Sequence, residues 1–249
     1  MTTKMKLGIG TFFFAMLLVC LVFIPAVSAQ ENIKTSDNPS ELEQGLINEL
    51  NSNTNNLSTE SVITNYIQIN KNKIPKIDDN RIRATLGSSN ERSYKLNNGD
   101  TITFTSGDLF SITGVTAEPL EKAVSTVSTN GYSRTPTLKA WHDFYSWNGK
   151  IRIYSLYTRG YFEYNGKKVK NHYIDSWYKR GFCSVWQVSQ WEEGGTDQGT
   201  TAQIYGRGEF YVTINIGVGE VVVQDTYNRI WLTCDKKGKW AGYYSESKS

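Results

Sequence analysis

The stretch KIRIYSLYTRGYFEYNGKKVKNHYIDSWYK, residues 150–179, carries the fold of this 249-residue chain. It has no helical period, it is rich in residues that suit a pleated sheet, and Asn165-Gly166 divides it. Asn-Gly reverses a chain within two residues, because the tight hairpin turn needs positive φ at both central positions. The reading is two antiparallel strands, Lys150–Tyr164 and Lys167–Trp177.

The pattern continues on both sides. Upstream, Leu138–Trp147 ends at Asn148-Gly149; downstream come Phe182–Trp191, Ala202–Ile216, Glu220–Gln224, Arg229–Cys234 and Lys239–Tyr243. In Ala202–Ile216 one face carries Ile204, Phe210, Val212, Ile214 and Ile216, and Gly206 and Gly208 interrupt it as a bulge or a close-packing point would. Glu192–Gly199 is acidic and glycine-rich and reads as a loop. About eight strands at short, regular spacing predict an antiparallel β-sandwich or flattened barrel over residues 132–249.

Residues 30–131 differ in kind, so the expected class is mainly β with this sandwich preceded by a smaller α+β segment. Ser40-Glu41-Leu42-Glu43 has capping-box spacing, with Leu42, Leu46, Ile47 and Leu50 following on one helical face. Val62, Ile63, Tyr66 and Ile67 mark a second short helix. The period then changes to two: Tyr94 and Leu96, Ile102 and Phe104, Phe110 and Ile112 predict a three-stranded meander with turns at Asn98-Gly99 and Ser106-Gly107. Pro119 opens a further helical stretch, and Ser125–Pro136 reads as the boundary between two domains. Charge follows the same division, with 9 basic against 13 acidic side chains in 30–131 and 16 against 11 in 132–249. The aromatic content and the absence of long periods or repeated apolar spans exclude disorder, collagen, coiled coil and a polytopic membrane protein.

Residues 1–29 have the order of a secretory signal: Lys4 and Lys6, an apolar run from Phe12 to Ile24, then Val27-Ser28-Ala29. The competing reading is an uncleaved anchor, since Leu7–Val27 is long enough to cross a bilayer. A secreted or cell-surface protein is expected, touching membrane only through this segment if it stays attached. In that oxidising setting Cys183 and Cys234 are expected to form one disulfide, and Asn56-Leu57-Ser58 is a glycosylation sequon at Asn56.

Function is written less plainly. All seven tryptophans lie beyond residue 140, and Trp147, Tyr154, Tyr164, Trp177 and Tyr178 alternate with Arg152, Lys168 and Lys170 in hairpin-linked strands. Flat rings stack on sugars and cations hold acidic groups, so these eight residues form the candidate binding set for a polysaccharide or an anionic surface polymer. The structural alternative is that Tyr and Trp serve as sheet core and lysines as a solvated face. Nucleic acid is not expected as a partner of an exported chain. His142-Asp143 and His172-x-x-Asp175 match no ligand motif, and Glu192, Glu193 and Asp197 lack EF-hand spacing, so no metal or cofactor is expected. The expected function is non-catalytic binding. The alternatives are a hydrolase drawing acids from Glu192, Glu193, Asp143 or Asp175, with help from His172, and a structural or protein-binding surface component.

Overall fold

The computed structural model describes residues 38–53, 57–74, 91–105, 109–118, 131–147, 152–181, 186–216 and 219–247, with the side chains of 213–225 outside that description. The expected signal, Asn56, the helix expected from Pro119 and Cys183 lie outside the described residues.

Among the described residues two helices come first, α1 (Glu41–Asn51) and α2 (Thr59–Ile69). The capping box of α1 is formed: the Glu43 amide donates to Ser40 Oγ at 3.3 Å and the Ser40 amide to Glu43 Oε2 at 2.7 Å. Ser58 caps α2 in the same way by accepting from the Ser61 amide at 3.2 Å. The Tyr66 hydroxyl donates to the Leu42 carbonyl at 2.8 Å, and its ring fills the space a side chain at Gly45 would need, which lets the helices approach closely.

Eleven strands follow among the described residues: β1 (Arg92–Lys95), β2 (Thr101–Phe104), β3 (Leu109–Glu118), β4 (Ser133–Arg134), β5 (Thr137–Ser146), β6 (Arg152–Tyr164), β7 (Val169–Arg180), β8 (Trp186–Asp197), β9 (Thr201–Ile216), β10 (Gly219–Asp235) and β11 (Trp240–Ser247). They form two antiparallel sheets. In the larger, β1-β2-β3-β5-β6 run in that order, with β4 and β7 also paired to β6. The smaller has the order β11-β10-β9-β8.

Strand periodicity gives the larger sheet two apolar faces. On β5, Leu138, Ala140 and Phe144 pack with Tyr154, Leu156, Ile204, Phe210, Ile230 and Leu232 between the sheets. Tyr145 and Trp147, in the opposite phase, join Leu46, Ile63, Phe104, Phe110 and Ile112 in a second core beneath the helices. The sandwich expected from the sequence is present, with a helical layer added over part of its outer side.

The larger sheet crosses the expected domain boundary. Strand β3 pairs with β5 from Leu109↔Ser146 to Glu118↔Thr137, so the meander continues the sheet of the second half, and Asp37–Ser249 is one compact unit. The Ser/Thr/Gly-rich stretch therefore links two strands of one sheet. Glu192–Asp197 belongs to β8 rather than to a loop, and the two short strands expected at Glu220–Gln224 and Arg229–Cys234 are one strand, β10, with a register shift between Val222 and Gln224. Asn228, which reads as turn material, is fully buried there because its amide donates to Thr226 and its oxygen accepts from Tyr154 and Tyr244.

The expected disulfide is not formed. Cys234 is a buried free thiol, pushed up to about 12 by burial.

Candidate functional site

The outer face of β5–β7 that the helices leave open is built from in-register rows. Trp141, Tyr157 and Trp177 lie side by side across three strands; Lys139, Arg159 and Asp175 form the next row, and Tyr161 faces His172 beyond it. Tyr157 and Trp177 stack with centroids 4.8 Å apart and planes 16° from parallel. The Lys139 ammonium lies 5.1 Å from the Tyr157 centroid and 5.7 Å from that of Trp177, and Lys179 lies 5.8 Å from Tyr157. At these distances a cation is held by the ring quadrupole yet stays available to an anion. Among the described residues β7 pairs only with β6, so Trp177 lies on an edge strand of this sheet.

Acids on this face are engaged. Asp175 grips Arg159 through two bonds of 2.9 and 3.0 Å, with Glu118 3.8 Å from the same guanidinium. Glu163 lies 3.1 Å from His172, whose ring stacks on Tyr161, and the Arg134 guanidinium lies 3.5 Å from the centroid of the Tyr161 ring. Asp143 accepts from Tyr145 and Tyr157, each at 3.4 Å; burial pushes its carboxyl up, against the pull of Ser155 and of the Arg152 charge. Among the described residues Lys139 and Lys179 make no carboxylate ion pair, so the face keeps positive charge beside its rings.

The eight residues expected to bind divide sharply. Trp177 is in the row. Trp147 is buried against Phe104, Phe110 and Tyr66, and Tyr154 is buried against Phe144 and Phe210; neither can meet a polymer while the cores are intact. Tyr164 lies in the same phase as Tyr154, packed against the inter-sheet core. Tyr178 is partly exposed at the margin, with its ring edge-on to Trp191 and Phe210. Arg152 turns toward the helices and pairs with Glu60 at 3.3 Å, while Lys168 and Lys170 sit at the β6–β7 hairpin end.

Lys139, Trp141, Tyr157 and Tyr161 were not in that set. Counting rungs back from a two-residue turn at Asn165-Gly166 would place Tyr161 opposite Lys170; the chain instead reverses at Gly166-Lys167, which sets Tyr161 opposite His172, and a one-residue bulge at Ile174 of β7 brings Tyr157 opposite Trp177. That the chain reverses here was visible in the sequence; the register of the turn and the bulge were not.

The acids of the hydrolytic alternative are divided between the two sheets. Glu192 is bound to Arg207 on the outer face of the smaller sheet, Glu193 accepts from the Trp191 indole at 3.0 Å, and Asp143 and Asp175 lie on the larger sheet. His142 points into the sandwich and His172 outward, so the two histidines occupy opposite faces. No three His, Cys, Asp or Glu side chains converge as metal ligands among the described residues.

No family model, curated protein or solved structure matches this chain. The site is therefore read from its own chemistry. The smaller sheet has a comparable row of Tyr205, Trp231 and Tyr243; beside it Arg207 is paired with Glu192, and Arg229 donates to Gln203 Oε1 at 2.7 Å. Of the two rows, the β5–β7 one carries two cations, Lys139 and Lys179, without a carboxylate partner among the described residues.

Proposed function

We propose that this protein is an exported, non-catalytic binding protein that holds an anionic polysaccharide on the outer face of β5–β7. The observation that carries the reading is the half-exposed Tyr157–Trp177 pair flanked by Lys139 and Lys179, neither in an ion pair among the described residues. A sugar ring places its C–H surface against Trp177 at the sheet edge, and its carboxylate or sulfate meets the two ammonium groups. The signal-like order of residues 1–29 supports export to a compartment where such polymers occur.

Depletion from solution by insoluble acidic polysaccharides, with tryptophan fluorescence as a second readout, tests it. Trp177→Ala and Lys139→Gln are each expected to weaken binding by about tenfold, consistent with about 1–2 kcal/mol for a ring or cation contact. Unchanged depletion in the double variant sinks the proposal.

A further inference from the structure

Three hairpin ends meet at one end of the sandwich. The Gly166 amide of the β6–β7 turn donates to the Lys236 carbonyl of the β10–β11 turn at 2.9 Å. The Lys236 amide donates to Thr200 of the β8–β9 turn at 2.9 Å, and the Val169 amide to Gly199 at 3.0 Å. Within the turns, Asn165 Oδ1 accepts from the amides of Lys167 and Lys168, and Asp235 Oδ1 from those of Lys237 and Lys239. The tips are thus locked into one platform by backbone bonds that do not involve the lysine side chains.

That platform carries Lys167, Lys168, Lys236, Lys237 and Lys239, with Lys170 beside it, and all but Lys236 are exposed. Its two acids are already occupied, Asp235 by backbone amides and Asp197 by the amide and side chain of Asn171. Among the described residues none of the six lysines forms a carboxylate ion pair. Trp240, 37% exposed, follows Lys239 directly.

We propose that this end docks on an anionic phospholipid surface. Five lysines on turns, with Lys170 beside them on β7, form an array of point charges suited to phosphate headgroups, which need no bidentate fork, and clusters of this size hold proteins to acidic lipid. An exposed tryptophan beside them suits the headgroup boundary, where an amphipathic ring is at home. Charges on the tips of hairpins, rather than along a sheet face, meet a plane more readily than a linear chain. Such docking is peripheral, since no helix among the described residues is long and apolar enough to cross a membrane. It leaves the β5–β7 face, the proposed polysaccharide site, unobstructed.

The test is co-sedimentation of the chain from Gln30 onward, which keeps the compact unit Asp37–Ser249 and omits the apolar stretch that would enter any vesicle. The vesicles are phosphatidylcholine alone or phosphatidylcholine with about one quarter phosphatidylglycerol. Binding is expected only with the acidic lipid, and to disappear in high salt. Lys236→Gln/Lys237→Gln/Lys239→Gln should lower partitioning on the order of a hundredfold. Trp240→Ala should lower it several-fold, and Trp177→Ala should leave it unchanged. A melting curve like that of the parent confirms that the triple variant is folded. Equal binding to both vesicles, or full binding by the folded triple variant, overturns the proposal. So does loss of polysaccharide rather than vesicle binding in the triple variant, which would assign this end to the polymer.

Discussion

His142 shows what burial does to a single side chain. Its Nδ1 pairs with the Thr113 hydroxyl at 2.8 Å, its ring stacks 3.4 Å from that of Tyr244, and its Nε2 has no hydrogen-bond partner. Burial holds the imidazole neutral, pushing its pKa from 6.5 down to about 3. Below pH 6.5 the unfolded chain takes up a proton that the folded protein refuses until about pH 3, so stability falls as pH drops through that window. The slope approaches about 1.4 kcal/mol per pH unit. Asp143 acts oppositely, because its raised folded pKa lets the native state bind a proton first, and it offsets the loss only near the carboxylate range. Urea unfolding at stepped pH is expected to show the decline, and His142→Phe to flatten it by about one proton; an unchanged slope would show that His142 is not its source. Cys234 yields a second expectation at this scale: with its thiol buried and free, unreduced protein should react with a thiol reagent at this residue only in denaturant.

At the scale of elements, β8 and β9 explain a pair of glycines. Strand β8 bulges between Ser189 and Glu192, with Gln190 at φ 50°, and this swings Trp191 across β9. A Cβ at Gly206 would lie 2.9 Å from the Trp191 ring and 2.8 Å from Ser176 Cβ, and one at Gly208 would lie 3.0 Å from the same ring. The close packing expected of these glycines is therefore a seat for an indole, and the bulge belongs to the neighbouring strand. Gly206→Ala is expected to destabilise by about 1–3 kcal/mol through overpacking, measured by thermal or denaturant unfolding. Ser40→Ala, which removes one half of a capping box on a helix outside the Tyr157–Trp177 row, should cost about 1 kcal/mol and leave polysaccharide binding intact. The capping box, both helices and the meander were legible because each depends on residues within a few positions of one another. The bulges were not, since a bulge answers to the side chains of another strand.

Over the whole molecule, the two compositional halves turn out to be two cores served by one sheet. Removing residues before 132 would strip β3 from β5 and uncover Tyr145 and Trp147, so a 132–249 fragment is expected to be insoluble or to lack a cooperative melt. A soluble fragment with the melting behaviour of the intact chain would contradict that dependence. The tryptophans follow the same geometry: Trp147 and Trp186 are buried, Trp240 is exposed, and Trp141, Trp177, Trp191 and Trp231 lie between. Composition marked the aromatic and basic strands, but alternation of period two makes the choice of face depend on register. Tyr154 and Tyr157, three residues apart, point to opposite sides of β6. By itself the sequence determined the β class, the capping box of α1 and a chain reversal next to Asn165, because local hydrogen bonding and backbone sterics act within a few residues. Which rings became core and which a surface, where the lysine turns gathered, and that Cys234 has no partner were decided only in the tertiary structure. Those outcomes depend on the pairing of strands far apart in the chain, and a shift of one residue in that pairing reverses them.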